Sequence, residues 1–320
     1  MVSLGLRGVA LLSLLAMAPA GACARDLFVV CQDDATLVRL DTLHGQVTAR
    51  VSLPPNPAMI ASAEGGRLLF VTHPESGQIS RVESANLERT RSFTVGGTPF
   101  GVVATADGRY LYVGDWKANV VRKLDAETGA VLSEASVGRE PTGVALDSQE
   151  TRLFVANRED RSVTVIDLAS MRAEKTIEVG DGPFALAFDA ERDRLFVANV
   201  RSGDVTVIDT RTQTVAAKIP VGAAPYGLAV DPKGDRVLVT SQHGDRVSII
   251  DARALLMSEA IGVGRYPEAL AIFDGKAYVA NWFSGDLSIL DLPEHRKIAT
   301  IKLGEGPRSM ALGGADAAYR

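Results

Sequence analysis

The residues of this 320-residue chain best equipped for chemistry are two histidines, two tryptophans and a scatter of arginines and carboxylates. His73 and His243 are suited to proton transfer or to metal ligation. A zinc site asks for three or four convergent ligands, and His44 and His295 fall in a different part of the repeat set out below. Carboxylates that could join the histidines are Asp115, Glu140 and Glu268. No catalytic motif links any of them: the chain has no Gly-x-Ser-x-Gly, no Gly-x-x-x-x-Gly-Lys-Ser/Thr, no Gly-x-Gly-x-x-Gly before a helix and no His-Glu-x-x-His. A different chemistry is better supplied. Trp116, Trp282 and Tyr266 offer aromatic faces, and Arg139, Arg158 and Arg308 offer guanidinium groups. Together these suit stacking and cation–π contact with a planar or extended ligand.

What must position these residues is a repeat. A Val-Gly-x-x-Pro segment places prolines at Pro57, Pro99, Pro141, Pro183, Pro225 and Pro267, each 42 residues after the last, and Pro307 follows after 40. Within a unit, short β-branched and aromatic runs alternate with turn residues. In the copy at Pro99 these are Gly101-Val102-Val103-Ala104, Tyr110-Leu111-Tyr112-Val113, Val120 to Leu124, and Val131 to Val137, with Asp107-Gly108 marking a hairpin. Four strands per unit at such a period predict the blades of a propeller.

Six full units run from Pro57 to Leu303. The C-terminus adds one first strand, Pro307 to Leu312, and the N-terminus adds strands two to four from Asp26 to Leu53. Pairing the two fragments would leave no open sheet edge. The expectation is therefore an all-β, seven-bladed β-propeller of four-stranded antiparallel blades, its ring closed by the C-terminal first strand and the N-terminal three.

The segment Ala104-Thr105-Ala106-Asp107-Gly108-Arg109-Tyr110-Leu111-Tyr112-Val113-Gly114-Asp115, with Val155-Ala156-Asn157, Val197-Ala198-Asn199, Val279-Ala280-Asn281 and Val163-Thr164-Val165-Ile166-Asp167, resembles the YVTN-type (YncE-like) β-propeller repeat from Arg25 to about Gly313. The resemblance implies a fold rather than an activity. Similar propellers include lactonases and lyases that gather carboxylates, or histidine and glutamate with a divalent metal, at the channel mouth. Others accompany periplasmic quinoprotein or haem systems. A bacterial source follows from the same resemblance.

Residues 1–24 read as a signal peptide, with Arg7, an apolar run from Val9 to Met17, and Ala22-Cys23-Ala24 at the cleavage site. Residues 25–320 form the propeller domain, and export to the periplasm is expected. A lipoprotein anchored through Cys23 is the rival reading, disfavoured because no leucine stands three residues earlier. Cleavage removes one positive charge from a net −5 and leaves Cys31 as the single cysteine, so no disulfide, Cys-x-x-Cys pair or covalent haem attachment is available. No cofactor is indicated. The acidic balance and pI near 5.5 argue against a strong nucleic-acid footprint, and no membrane span remains after cleavage. A monomer is expected.

In a propeller, the loops from strand four to the next strand one, and from strand two to strand three, open on one face. Functional residues are expected there, where the copies differ. At the end of strand two stand Cys31, His73, Asp115, Asn157, Asn199, Ser241 and Asn281. The aligned acids Asp41, Glu83, Asp125, Asp167, Asp209, Asp251 and Asp291 belong to the opposite face, as turn caps. Phe100, Phe184 and Tyr226 are expected to plug the channel top. The ligand-binding candidates are His73, Trp116, Arg139, Glu140, Arg158, His243, Tyr266, Trp282 and Arg308. The function expected is binding of a partner protein or small ligand at the channel mouth. The alternatives are a metal-assisted lactonase- or lyase-like enzyme, an accessory of a periplasmic quinoprotein or haem redox system, and a single-stranded nucleic-acid binder. The two histidines are expected to be ordinary surface residues.

Overall fold

The computed structural model describes residues 26–87, 89–231 and 235–313. The signal peptide read over residues 1–24, with Cys23, lies outside them. Seven four-stranded antiparallel sheets are arranged as a ring. In six of them, spanning 60–94, 99–136, 141–178, 183–220, 225–262 and 267–302, the strands lie side by side in chain order. The remaining sheet is the seam. There the last strand, Pro307–Gly313, pairs antiparallel with the first, Asp26–Cys31, followed by Thr36–Asp41 and Gln46–Ser52. Leu27 is opposite Leu312 and Val29 opposite Met310. The predicted all-β, seven-bladed propeller and its mode of closure are both present.

First strands of successive blades touch one another around the ring, as in the pairs Pro141–Leu146 with Pro183–Asp189, and Pro225–Val230 with Pro267–Phe273. They therefore form the inner wall. Two devices hold them close. Gly227 stands where a Cβ would collide with the Glu268 carbonyl of the next blade, so a bare backbone is needed there. Hydroxyls from one blade then donate to the next: Thr72 Oγ1 to the Phe100 carbonyl at 2.8 Å, Thr142 Oγ1 to that of Pro183 at 3.1 Å and Thr240 Oγ1 to that of Glu268 at 2.6 Å.

No blade owns a core. Second strands such as Leu68–His73 are buried along their whole length, and their side chains meet those of neighbouring blades. Leu27, Val29 and Cys31 pack with Tyr278, Ala280 and Leu287 across the seam, while Phe28 and Val30 pack with Leu69 and Val71 on the other side. Cys31 is buried, and burial raises its thiol pKa to about 12. It serves there as a small apolar residue.

Asp41, Asp125, Asp209 and Asp251 each accept two backbone N–H bonds within their own turn, as from Glu127 at 3.1 Å and Thr128 at 2.7 Å for Asp125. The side chains of His44 and Thr128, then the backbone bonds, hold Asp41 and Asp125 below the ordinary carboxylate range, and the backbone bonds foremost do the same for Asp209 and Asp251. At these four positions the repeated acid is a turn cap, and Asp167 and Asp291 each accept one such backbone bond, from Ser170 and Glu294.

Candidate functional site

The two loop sets do share a face, and backbone hydrogen bonds knit them together. In six blades the residue after the second strand donates its N–H to the carbonyl that precedes the repeat proline: Trp116 to Thr98, Arg158 to Glu140, Val200 to Gly182, Gln242 to Ala224, Trp282 to Tyr266, and Gln32 to Gly306, all between 2.8 and 3.1 Å. In the blade at 60–94 that residue is Pro74, which has no N–H to give. There the first strand begins only at Ile60, three residues past its proline.

The loop geometry strains the residue before the proline. Gly182 and Gly306 hold positive φ at this position, and so do Asn56 (φ 52), Glu140 (φ 53), Ala224 (φ 54) and Tyr266 (φ 56), so the loop itself imposes it. A bulky side chain in the left-handed region ahead of proline is disfavoured. Tyr266 is kept there by its N–H to Asp245 Oδ1 at 2.9 Å and its carbonyl to Trp282.

The mouth itself is made by the first residue after each proline. In ring order these are Ala58, Phe100, Thr142 and Phe184, then Tyr226, Glu268 and Arg308. Small residues at Ala58 and Thr142 leave room for large neighbours to meet over them. Phe100 meets Phe184 edge-on, with centroids 5.9 Å apart, and Phe184 stacks on Tyr226 at 4.0 Å. Phe100 and Phe184 are buried, so these rings do plug one side of the channel top. Trp116 lies edge-on to Phe100 at 4.6 Å and remains half-exposed.

Arg308 completes the ring. Its guanidinium carbon is 5.5 Å from the centre of the Phe100 ring and 5.4 Å from that of Trp282. Nη1 donates to Gln32 Oε1 at 2.7 Å and Nη2 to the Tyr226 hydroxyl at 3.2 Å. Glu268, only 4% exposed, accepts from Gln242 Nε2 at 2.9 Å through Oε1. Its Oε2 stands 3.8 Å from Arg308 Nε, and neither atom has a hydrogen-bond partner. Burial outweighs the nearby guanidinium and raises the Glu268 carboxyl to about 7. Desolvation also works against the charge of Arg308, but Tyr226 and Glu268 more than offset it, and its pKa rises.

The other candidates are dispersed. Arg158 lies 5.6 Å from the Trp116 ring and pairs with Glu140 at 3.3 Å, so these three form a second small cluster at the mouth's edge. Arg139 is exposed and pairs with Asp160 at 2.6 Å. His243 is exposed beside Tyr266, with centroids 6.0 Å apart, and Tyr266 meets the exposed ring of Phe283 at 4.6 Å. His73 corrects the expectation of two surface histidines. It is fully buried, and its Nε2 lies 3.0 Å from Ser80 Oγ on the next strand. The same holds for its repeat mates. Asn157 bonds to Ser162 and Thr164, Asn281 to Asp286 and Ser288, and Asp115 to Arg122. The variable end of strand two ties its strand to the third strand of the same blade rather than facing the mouth. Gln32 was not foreseen, because it belongs to the one blade split between the two ends of the chain.

Among the described residues, no three of His, Cys, Asp and Glu converge in a way that could hold a metal ion. No helix among them is long and apolar enough to cross a membrane. A polar groove lined by Ser136, Gly138, Asp160, Ser162, Thr164 and Glu178 opens beside the outer strands of the blade at 141–178. It lies away from the inner ring and contains no aromatic ring.

Solved structures of similar shape include hydrazine synthase of Kuenenia stuttgartiensis, at 19% identity and a TM-score of 0.72, covering 79% of this chain and 88% of that one. The dihydro-heme d1 dehydrogenase NirN, in complex with DHE, is 15% identical with a TM-score of 0.71, covering 93% of this chain and 78% of its own. AztD of Citrobacter koseri, in its apo form, is 14% identical with a TM-score of 0.69, covering 92% and 100%. At such identities the likeness is one of fold. No curated protein matches the sequence. The model of one family, described as YNCE-like beta-propeller, matches residues 21–189, just over half of the chain. With seven blades of the matching repeat, this protein belongs to the YNCE-like β-propeller family.

Proposed function

We propose that this chain is a non-catalytic binding propeller, exported to the periplasm, which takes a small ligand over the channel mouth. The observation that carries this reading is the half-open cluster of Arg308 between Phe100 and Trp282, continuous with Trp116. It joins a buried charge to aromatic faces at the one place where all seven blades converge. Ligand sites in rigid folds combine apolar walls with a few fixed polar groups in this manner.

The enzymatic reading has less to draw on. His73 is turned into its blade and lies against Ser80, and His243 lies beside the Tyr266 ring. The nucleic-acid reading rests on Arg139, Arg158, Arg265 and Arg308, and three of these stand beside a carboxylate, Asp160, Glu140 and Glu268 in turn. The solved NirN, described in complex with DHE, is a structure of this shape determined with a ligand.

Trp116 and Trp282 are the only tryptophans in the chain, and both are at the mouth. Intrinsic tryptophan emission therefore reports on mouth occupancy directly. A ligand that binds the purified protein is expected to change that emission. Trp116→Ala and Trp282→Ala are expected to fold, by far-UV circular dichroism, and to bind more weakly. Binding with unaltered emission and unaltered affinity in both variants would exclude the mouth.

A further inference from the structure

We propose that the mouth takes a flat organic carboxylate, its anionic group on the Arg308 guanidinium and its ring against Trp282 and Phe100. This rests on the mouth being the ligand site and goes further by naming the ligand chemistry. Arg308 is the only arginine among the seven post-proline positions, and it is set into the wall rather than out in solvent. Two of its donors are used, on Gln32 and Tyr226, and these fix the plane of the group. Nε is left without an acceptor, although a carboxylate stands 3.8 Å away. Nε itself is buried, so an incoming planar carboxylate meets the second hydrogens of Nη1 and Nη2, two N–H groups side by side that it can accept together. The rings of Phe100 and Trp282 beside the guanidinium offer faces to the body of the same molecule.

Glu268 is the competitor and the regulator. Its Oε2 is buried and unpartnered, aimed at the same Nε. The groups that face it are Arg308 from the seam, Gln242 from the end of the neighbouring second strand, Asp33 from the seam blade, and the hydroxyls of Tyr226 and Tyr266. When Glu268 carries its proton, the guanidinium charge is uncompensated and an incoming carboxylate finds a cation. When Glu268 ionises, it neutralises Arg308 and repels the ligand. With the carboxyl titrating at about 7, the binding-competent fraction falls about tenfold between pH 6 and pH 8. No covalent step is involved.

The test is a titration of tryptophan emission in the full chain with benzoate, benzamide and benzylamine. Benzoate is expected to bind at least ten times more tightly than the neutral and cationic analogues at pH 6, and to weaken about tenfold by pH 8. Arg308→Gln is expected to erase the preference for benzoate. Because that variant also removes a packed side chain, Glu268→Gln provides a second arm. It keeps the guanidinium and removes the competing charge, so benzoate should bind at pH 8 as it does at pH 6. Equal response to benzoate and benzamide overturns the carboxylate while leaving the mouth as the site. So does silence from all three probes when another ligand moves the emission. An unchanged pH dependence of benzoate binding in Glu268→Gln overturns the role given to Glu268. A ligand that binds without touching either tryptophan overturns the mouth itself.

Discussion

At the scale of the residue, Glu268 sets the clearest expectation. Its carboxyl is raised from 4.5 to about 7 by burial, so the folded state holds a proton that the unfolded chain releases near 4.5. Stability from this group is complete below about pH 4.5 and is lost as pH rises towards 7. The loss amounts to about 3 kcal/mol. Urea unfolding of the wild type and of Glu268→Gln at pH 5 and pH 8 should show the variant gaining on the wild type by about that amount at the higher pH. An identical change in both would remove Glu268 from the account. Gly227 carries a second expectation. A methyl group there meets the Glu268 carbonyl backbone, which cannot yield without moving the next inner strand. Gly227→Ala should cost about 1–3 kcal/mol, read as a lowered melting temperature, with the mouth disturbed as well.

Residues were also where the sequence misled. Variation at the end of strand two suggests function from the sequence alone. In the structure, His73, Asp115, Asn157 and Asn281 differ because several polar side chains can do the same job. Each reaches the third strand of its own blade from a buried position. Periodicity shows which positions correspond, but not which way a terminal strand residue turns. The rings of Phe100, Phe184 and Tyr226 were legible as a plug because they follow a proline at the inner wall, where large side chains have only one another to meet. The pairing of Arg308 with Glu268 was not, because it depends on how two neighbouring inner strands aim their side chains, which no spacing encodes.

At the scale of the element, nearly all of the architecture was visible. Strand-forming runs separated by Asp-Gly and Asp-capped turns recur so regularly that four strands per unit follow from local chemistry alone. The departure is the short first strand Ile60–Ala63, opposite the one proline that interrupts the linking hydrogen bonds. The seam makes the strongest prediction at this scale. Removing residues from Pro307 onward takes away the partner of Asp26–Cys31 and opens an apolar edge at Leu27 and Val29. Such a truncated chain is expected to aggregate, as judged by size-exclusion chromatography and light scattering. A monodisperse, folded product would show that the ring does not need its last strand.

At the scale of the whole molecule, Arg308 and Gln32 are bonded at 2.7 Å although 276 positions separate them. They stand on the two halves of the seam blade, and the Phe100, Trp282 and Glu268 groups around them come from the ring between. The Arg308 cluster thus needs both ends of the described chain, so a fragment that lacks either one lacks part of it. If a ligand sits over the mouth as proposed, it would act as a clasp on the join and favour the completed circle over an open one.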